Sequence, residues 1–118
     1  MPDKVVVYHN PRCSKSRGVI EILNENGVAA EVIQYLDTPP DKKELKRLMK
    51  LLGIEDPRDM MRKGEKEYME NGLDDPDLTL DALLNTIVRY PILLERPIVV
   101  KGGKAVIGRP PENVLTLL

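Results

Sequence analysis

Apolar and polar positions follow two different periods along this chain, and the switches between them mark its elements. Lys4-Val5-Val6-Val7-Tyr8 is a β-branched run that predicts a strand over residues 5–9. Asn10 and Pro11 make a turn, and the amphipathic stretch Gly18-Val19-Ile20-Glu21-Ile22-Leu23 then predicts a helix over residues 14–26, closed by Gly27. Residues 31–35, Glu-Val-Ile-Gln-Tyr, read as a second strand. Beyond Thr38-Pro39-Pro40, Asp41 can cap a helix with Glu44 three residues on. Leu45, Leu48, Met49 and Leu52 follow at helical spacing, and Gly53 ends the element. A shorter helix is expected over residues 57–62. Residues 64–77 are polar and irregular, with one helical turn around Tyr68. Thr79 can cap a further helix with Leu80, Leu83, Leu84, Ile87 and Val88 on one face. Ile98-Val99-Val100-Lys101 and Lys104-Ala105-Val106-Ile107 flank Gly102-Gly103, the signature of a tight antiparallel hairpin. Pro110-Pro111-Glu112 opens a last helix, with Val114, Leu115 and Leu118 expected to turn inward.

The order is β-α-β, a helical middle, then β-β-α. That order predicts an α/β protein of thioredoxin-like plan, with a parallel first pair of strands and an inserted helical subdomain. The expected layout is a single domain over residues 1–118. Its thioredoxin-like parts are residues 1–40 and 90–118, and the insertion is residues 41–89. A chain of 118 residues, 42% of them hydrophobic, suits one core. With no Trp and no Phe, aliphatic side chains must fill it. A net charge of −1 supplies no general basic field and argues against nucleic-acid binding. No apolar run reaches the length of a membrane span. The start, Met-Pro-Asp-Lys and then a strand, does not read as a signal peptide. A lone cysteine cannot form an internal disulfide and fits a reducing cytoplasm.

That cysteine, Cys13, carries the chemical interest. It lies in Tyr8-His9-Asn10-Pro11-Arg12-Cys13-Ser14-Lys15-Ser16-Arg17, between a strand and a helix. The first turn of a helix has unpartnered N–H groups and a positive dipole end. Such a place favours the thiolate, which is the nucleophile, and can hold an anion. A buried cysteine serving as a small hydrophobe is the alternative, and polar neighbours on both sides weaken it. His9, the only histidine, stands four residues before it. A cationic imidazole there would favour the thiolate; a strand-end ring bonded to a backbone group is the competing reading. Of eight arginines, Arg96 and Arg109 stand out because each precedes a proline and together they bracket the hairpin. Arginine suits bidentate oxyanion binding, though spacing alone does not separate these two from ordinary loop residues. Pro97 opens a strand where a cis bond is tolerated. The four tyrosines are expected to pack rather than line a site. Cys13 to Arg17 is C-x₃-R rather than a phosphatase-type C-x₅-R, and Ser16 stands where a C-x-x-C pair would need its second cysteine. One Cys and one His cannot make a Cys/His zinc site, and there is neither a GxGxxG nor a Walker motif. No metal and no bound cofactor are expected.

Several motifs together resemble the glutaredoxin-coupled arsenate reductases and their arsenate-reductase-like relatives. They are Tyr8-His9-Asn10-Pro11-x-Cys13-x-x-Ser16-Arg17, Tyr35-Leu36-x-x-Pro39-Pro40, Met61-Arg62-Lys63, Pro91-Ile92-Leu93-x-x-Arg96-Pro97-Ile98-Val99-Val100 and Gly108-Arg109-Pro110. The resemblance runs nearly end to end. It implies a thioredoxin-like fold with a helical insertion, and a reaction in which the Cys13 thiolate attacks arsenate and expels water. Glutathione, as co-substrate, then adds to the arsenic and reduces it, and glutaredoxin releases arsenite and regenerates the thiol. The resemblance also implies that Arg62, Arg96 and Arg109 hold the oxyanion and that His9 helps ionise Cys13. Arg62 would not be chosen on spacing. Arg12, Ser14 and Lys15 make the cysteine loop more charged than in the best-known reductases, which bears on which anion fits. Two other functions fit less of the sequence. One is a glutathione-linked thiol–disulfide oxidoreductase without arsenate activity. The other is a redox regulator that binds RNA polymerase, which Ser16 argues against.

Overall fold

The computed structural model describes residues 4–118. Strand β1 (Val5–His9) leads into helix α1 (Ser14–Glu25), and β2 (Glu31–Gln34) returns beside β1. Helices α2 (Lys42–Leu52), α3 (Lys66–Glu70) and α4 (Leu80–Arg89) follow, with 3-10 helices at Pro57–Met60 and Pro91–Leu93. The hairpin β3 (Ile98–Lys101) and β4 (Lys104–Ile107) and a 3-10 helix at Pro111–Leu117 complete the chain. The strands form one mixed sheet in the order β2-β1-β3-β4. β1 and β2 pair in parallel from Val6↔Glu31 to His9↔Gln34, whereas β1–β3 and β3–β4 are antiparallel. This is a thioredoxin-like α/β fold.

Two compact units make up the chain. The first comprises Met1–Thr38 and Arg96–Leu118, and the second Pro39–Glu95. In the first, Val5 and Val7 alternate onto one sheet face and meet Val99, the α1 residues Val19 and Leu23, and Val114. Each such aliphatic side chain contributes about 1.5–3 kcal/mol when fully buried. Gln34 and Glu31, at the ends of β2, are exposed, as befits an edge strand. In the second unit, Leu45, Leu48 and Met49 of α2 and Leu83, Leu84 and Ile87 of α4 are buried where the two helices pack. The Asp41 carboxylate accepts from the Glu44 amide at 2.8 Å, and Gly53 caps α2 at φ 73°, which glycine adopts without cost from a Cβ. The Thr79 hydroxyl accepts from the Ala82 amide at the start of α4.

Three expectations change. Residues 57–62 are helical only to Met60, because Met61 leaves to form a β-bridge with Leu94. In α4, Leu80 and Val88 are exposed, so the apolar face is narrower than the periodicity implied. The last element is a 3-10 helix. Its three-residue repeat stacks Leu117 behind Val114 on the core and turns Leu115 and Leu118 to solvent. Tyr8 and Tyr35 are fully buried, in keeping with packing.

Candidate active site

The strand-to-helix loop is built by short-range bonds. The Asn10 carboxamide oxygen accepts from the Arg12 amide at 3.0 Å, and the Cys13 amide donates to the Asn10 carbonyl at 3.0 Å. This turn delivers Cys13 as the N-cap of α1, in extended conformation, and its carbonyl accepts the first helical bond from Arg17. The partly exposed thiol does not close a side-chain capping bond as a serine or aspartate would. The Lys15 and Ser16 amides of the first turn face the sulfur instead.

Ser16 ties the loop together. It is completely buried, and its hydroxyl accepts from the Asn10 amide at 3.1 Å and bonds His9 Nδ1 at 3.0 Å. Sequence reasoning noted Ser16 as a missing second cysteine and as part of the cysteine-loop motif, and gave it no role in the site. Its place three residues after the N-cap, facing the strand end, is the signal that could have found it. Burial, and then the Arg17 charge, lower the His9 pKa below its ordinary 6.5. The ring is therefore neutral at pH 7, so of the two readings the sequence left open the cationic imidazole is not the favoured state. Its partner is a side chain rather than a backbone group.

Arginines approach the sulfur from the hairpin. Arg109 Nη1 lies 3.7 Å from Cys13 Sγ and also donates to the Arg96 carbonyl at 3.1 Å. Arg96 is buried, and its side chain too hydrogen-bonds to the thiol. Both arginines precede cis-prolines, Pro97 and Pro110. Burial pushes the Cys13 thiol up. The Ser16 and Lys15 amides, then Arg109 and Arg96, outweigh it and hold the pKa below that of a free thiol. Gly108 sets the place of Arg109. Its amide donates to the Pro97 carbonyl at 2.9 Å, and a methyl on it would stand 2.6 Å from Val19 Cγ2.

Cys13, His9, Arg96 and Arg109 thus belong to the first unit, and Arg62 to the second. There the Arg62 amide donates to the Leu93 carbonyl at 2.7 Å, beside the Met61–Leu94 bridge. Its guanidinium is held by Glu65 at 3.1 Å and Glu95 at 3.3 Å. Among the described residues no cluster of His, Cys, Asp or Glu could hold a metal ion, and no helix is long and apolar enough to cross a membrane.

Fold and site together define a thioredoxin-like α/β protein with one partly exposed thiol beside two arginines. The model of the ArsC family matches residues 8–117, so the chain belongs to the ArsC family. It is 53% identical, over the whole of both chains, to an arsenate reductase of Neisseria meningitidis serogroup A. It is 51% identical to the uncharacterised protein YfgD of Escherichia coli, covering 100% of this chain and 99% of that one. The solved arsenate reductase of Vibrio cholerae superimposes with a TM-score of 0.97 at 49% identity, with both chains fully covered.

Proposed function

We propose that this chain is an arsenate reductase that uses Cys13 as its nucleophile and draws electrons from glutathione and glutaredoxin. The observation that carries the reading is the Cys13 thiol at the α1 N-terminus with Arg109 Nη1 3.7 Å away. The names of its close relatives support the substrate. Arsenate is a tetrahedral oxyanion. Arg96 and Arg109, with Arg62 as the third arginine that the family resemblance implies, neutralise its oxygens and leave arsenic open to attack. The Cys13 thiolate forms the S–As bond, and one As–O bond breaks, its oxygen leaving as water after protonation. Glutathione thiol then adds to arsenic with loss of a second water. Over the cycle arsenic gains two electrons and leaves as arsenite, while two thiols lose them and become one disulfide. Glutaredoxin returns that disulfide to the thiol state, a cycle that suits a reducing cytoplasm. His9 acts on this site as a positioning residue. It fixes the Ser16 hydroxyl, and Ser16 in turn presents its amide to the sulfur.

The test is arsenate-dependent NADPH oxidation with glutathione, glutathione reductase and glutaredoxin, for wild type and Cys13→Ser, with each component omitted in turn. Activity that needs Cys13 and both thiol components is expected. Wild-type protein without arsenate-dependent oxidation would overturn the reading and favour a glutathione-linked disulfide oxidoreductase.

A further inference from the structure

A cleft of about 300 Å³ opens at the carboxyl ends of the parallel pair β1 and β2, immediately after their last register pair, His9↔Gln34. Carboxyl ends of parallel strands are where α/β sheets bind ligands. Here the two chains diverge, one wall carrying Arg12 and the other Leu36 and Asp37. Both walls are anchored turns. The Arg12 amide is held by Asn10 Oδ1 at 3.0 Å, and the Asp37 and Thr38 amides both donate to the Gln34 carbonyl at 3.0 Å. Arg12 and Asp37 are exposed and line the same cleft. Yet among the described residues neither charge makes an ion pair, with the other or with a third group. Leu36, 39% exposed, adds an apolar wall beside the charges.

An unpaired cation and an unpaired anion across one small cleft match a ligand that carries both a carboxylate and an ammonium group. The cleft is on the β2 side of β1, whereas Arg96 and Arg109 come from the β3–β4 side. Arg12 is also the residue next to Cys13 in the chain. We propose that this cleft is the docking site for the dipolar thiol co-substrate, a γ-glutamyl peptide of the glutathione class, with a carboxylate on Arg12 and the ammonium on Asp37. The thiol and the oxyanion then reach the cysteine loop from opposite sides of β1, and each site can be filled without emptying the other. The identity of the co-substrate rests on the reductase reading above; the cleft's preference for a small dipolar ligand does not.

Titration of ¹⁵N-labelled Cys13→Ser protein with reduced glutathione tests it by binding alone. Amide shifts are expected at Arg12 and at residues 34–37. Arg12→Ala and Asp37→Ala should each weaken binding about two- to fivefold, the range for solvent-exposed ion pairs. Exchanging the two charges in a double variant should recover part of the loss. Shifts confined to the Arg96–Arg109 side, no saturable shifts, or affinities unmoved by both substitutions would overturn the proposal. Because this assay needs no arsenate, binding at the cleft in a protein that turns over no arsenate would sink the reductase reading and keep the site. An active reductase whose KM for glutathione ignores Arg12 and Asp37 would do the reverse.

Discussion

Replacing Gly108 by alanine probes the link between core packing and the site. The new methyl would stand 2.6 Å from Val19 Cγ2 and 2.9 Å from Pro97 Cγ. Carbon atoms in ordinary contact are about 3.5–4.0 Å apart, so roughly 1 Å of relief is needed on each side. Val19 is fully buried on α1, and its β-branched side chain has little rotamer freedom in a helix. Pro97 is a closed ring immediately before β3. The strain therefore passes to the backbone of α1 or of the β4 exit. Overpacking of this kind costs about 1–3 kcal/mol. At about 4 °C per kcal/mol for a domain of this size, Tm should fall by about 4–12 °C. Gly108 also precedes Arg109, so the shift should draw the guanidinium from Cys13 and raise the thiol pKa. Differential scanning calorimetry and the pH dependence of iodoacetamide alkylation read the two effects on the same sample. An unchanged Tm would refute the close approach. A lower Tm with an unmoved alkylation profile would refute its coupling to Arg109.

Arg109→Ala should lower kcat/KM for arsenate about tenfold to a hundredfold, from the loss of a hydrogen bond to a charged group worth about 1.5–3 kcal/mol. Arg109→Lys should recover part of the loss, and an alanine variant with wild-type kinetics would remove Arg109 from the site. His9 has a lowered folded pKa, so it contributes stability that is present above the unfolded value of 6.5 and lost as pH falls through the folded pKa. Urea midpoints should therefore drop from about pH 7.5 to about pH 5.5, less steeply in His9→Gln, and equal slopes in the two proteins would contradict the assignment. Because Glu95 occupies Arg62 Nη1, Glu95→Gln should lower the KM for arsenate, and the effect should vanish in an Arg62→Ala background. A raised KM in Glu95→Gln would show that the carboxylate does not compete with the oxyanion.

The sequence made the sheet and its connections legible because their signals are local. β-branched runs, Asp41 with Glu44, Gly53 and Gly102-Gly103 each specify a backbone shape within a few residues, and each forms as expected. Cys13 was legible for the same reason, since strand, turn and helix place it without reference to distant residues. What the pattern missed depends on contacts far apart in the chain. Met61 leaves its helix for Leu94, thirty-three positions on, and no window of local spacing contains that bridge. The inward face of the last segment changed because a 3-10 repeat, not an α repeat, selects Leu117. Ser16 was read against the second cysteine of a C-x-x-C pair, and its burial against His9 depends on how the strand end and the helix meet. Arg96 and Arg109 were chosen for their place around the hairpin, but their bonds to the sulfur need the tertiary approach that Gly108 permits. Arg62 rested on family resemblance alone, and its bonds to Glu65 and Glu95 are a structural finding.

The central claim is that Cys13 is a thiolate held ready beside an oxyanion site. The most direct measurement is the rate of Cys13 alkylation by iodoacetamide against pH, with and without arsenate. The account predicts a titration below the range of free cysteine, about 8.5, and slower alkylation as arsenate fills the site in competition with the reagent. A titration in the ordinary range, with arsenate giving no more protection than chloride at equal ionic strength, would contradict it.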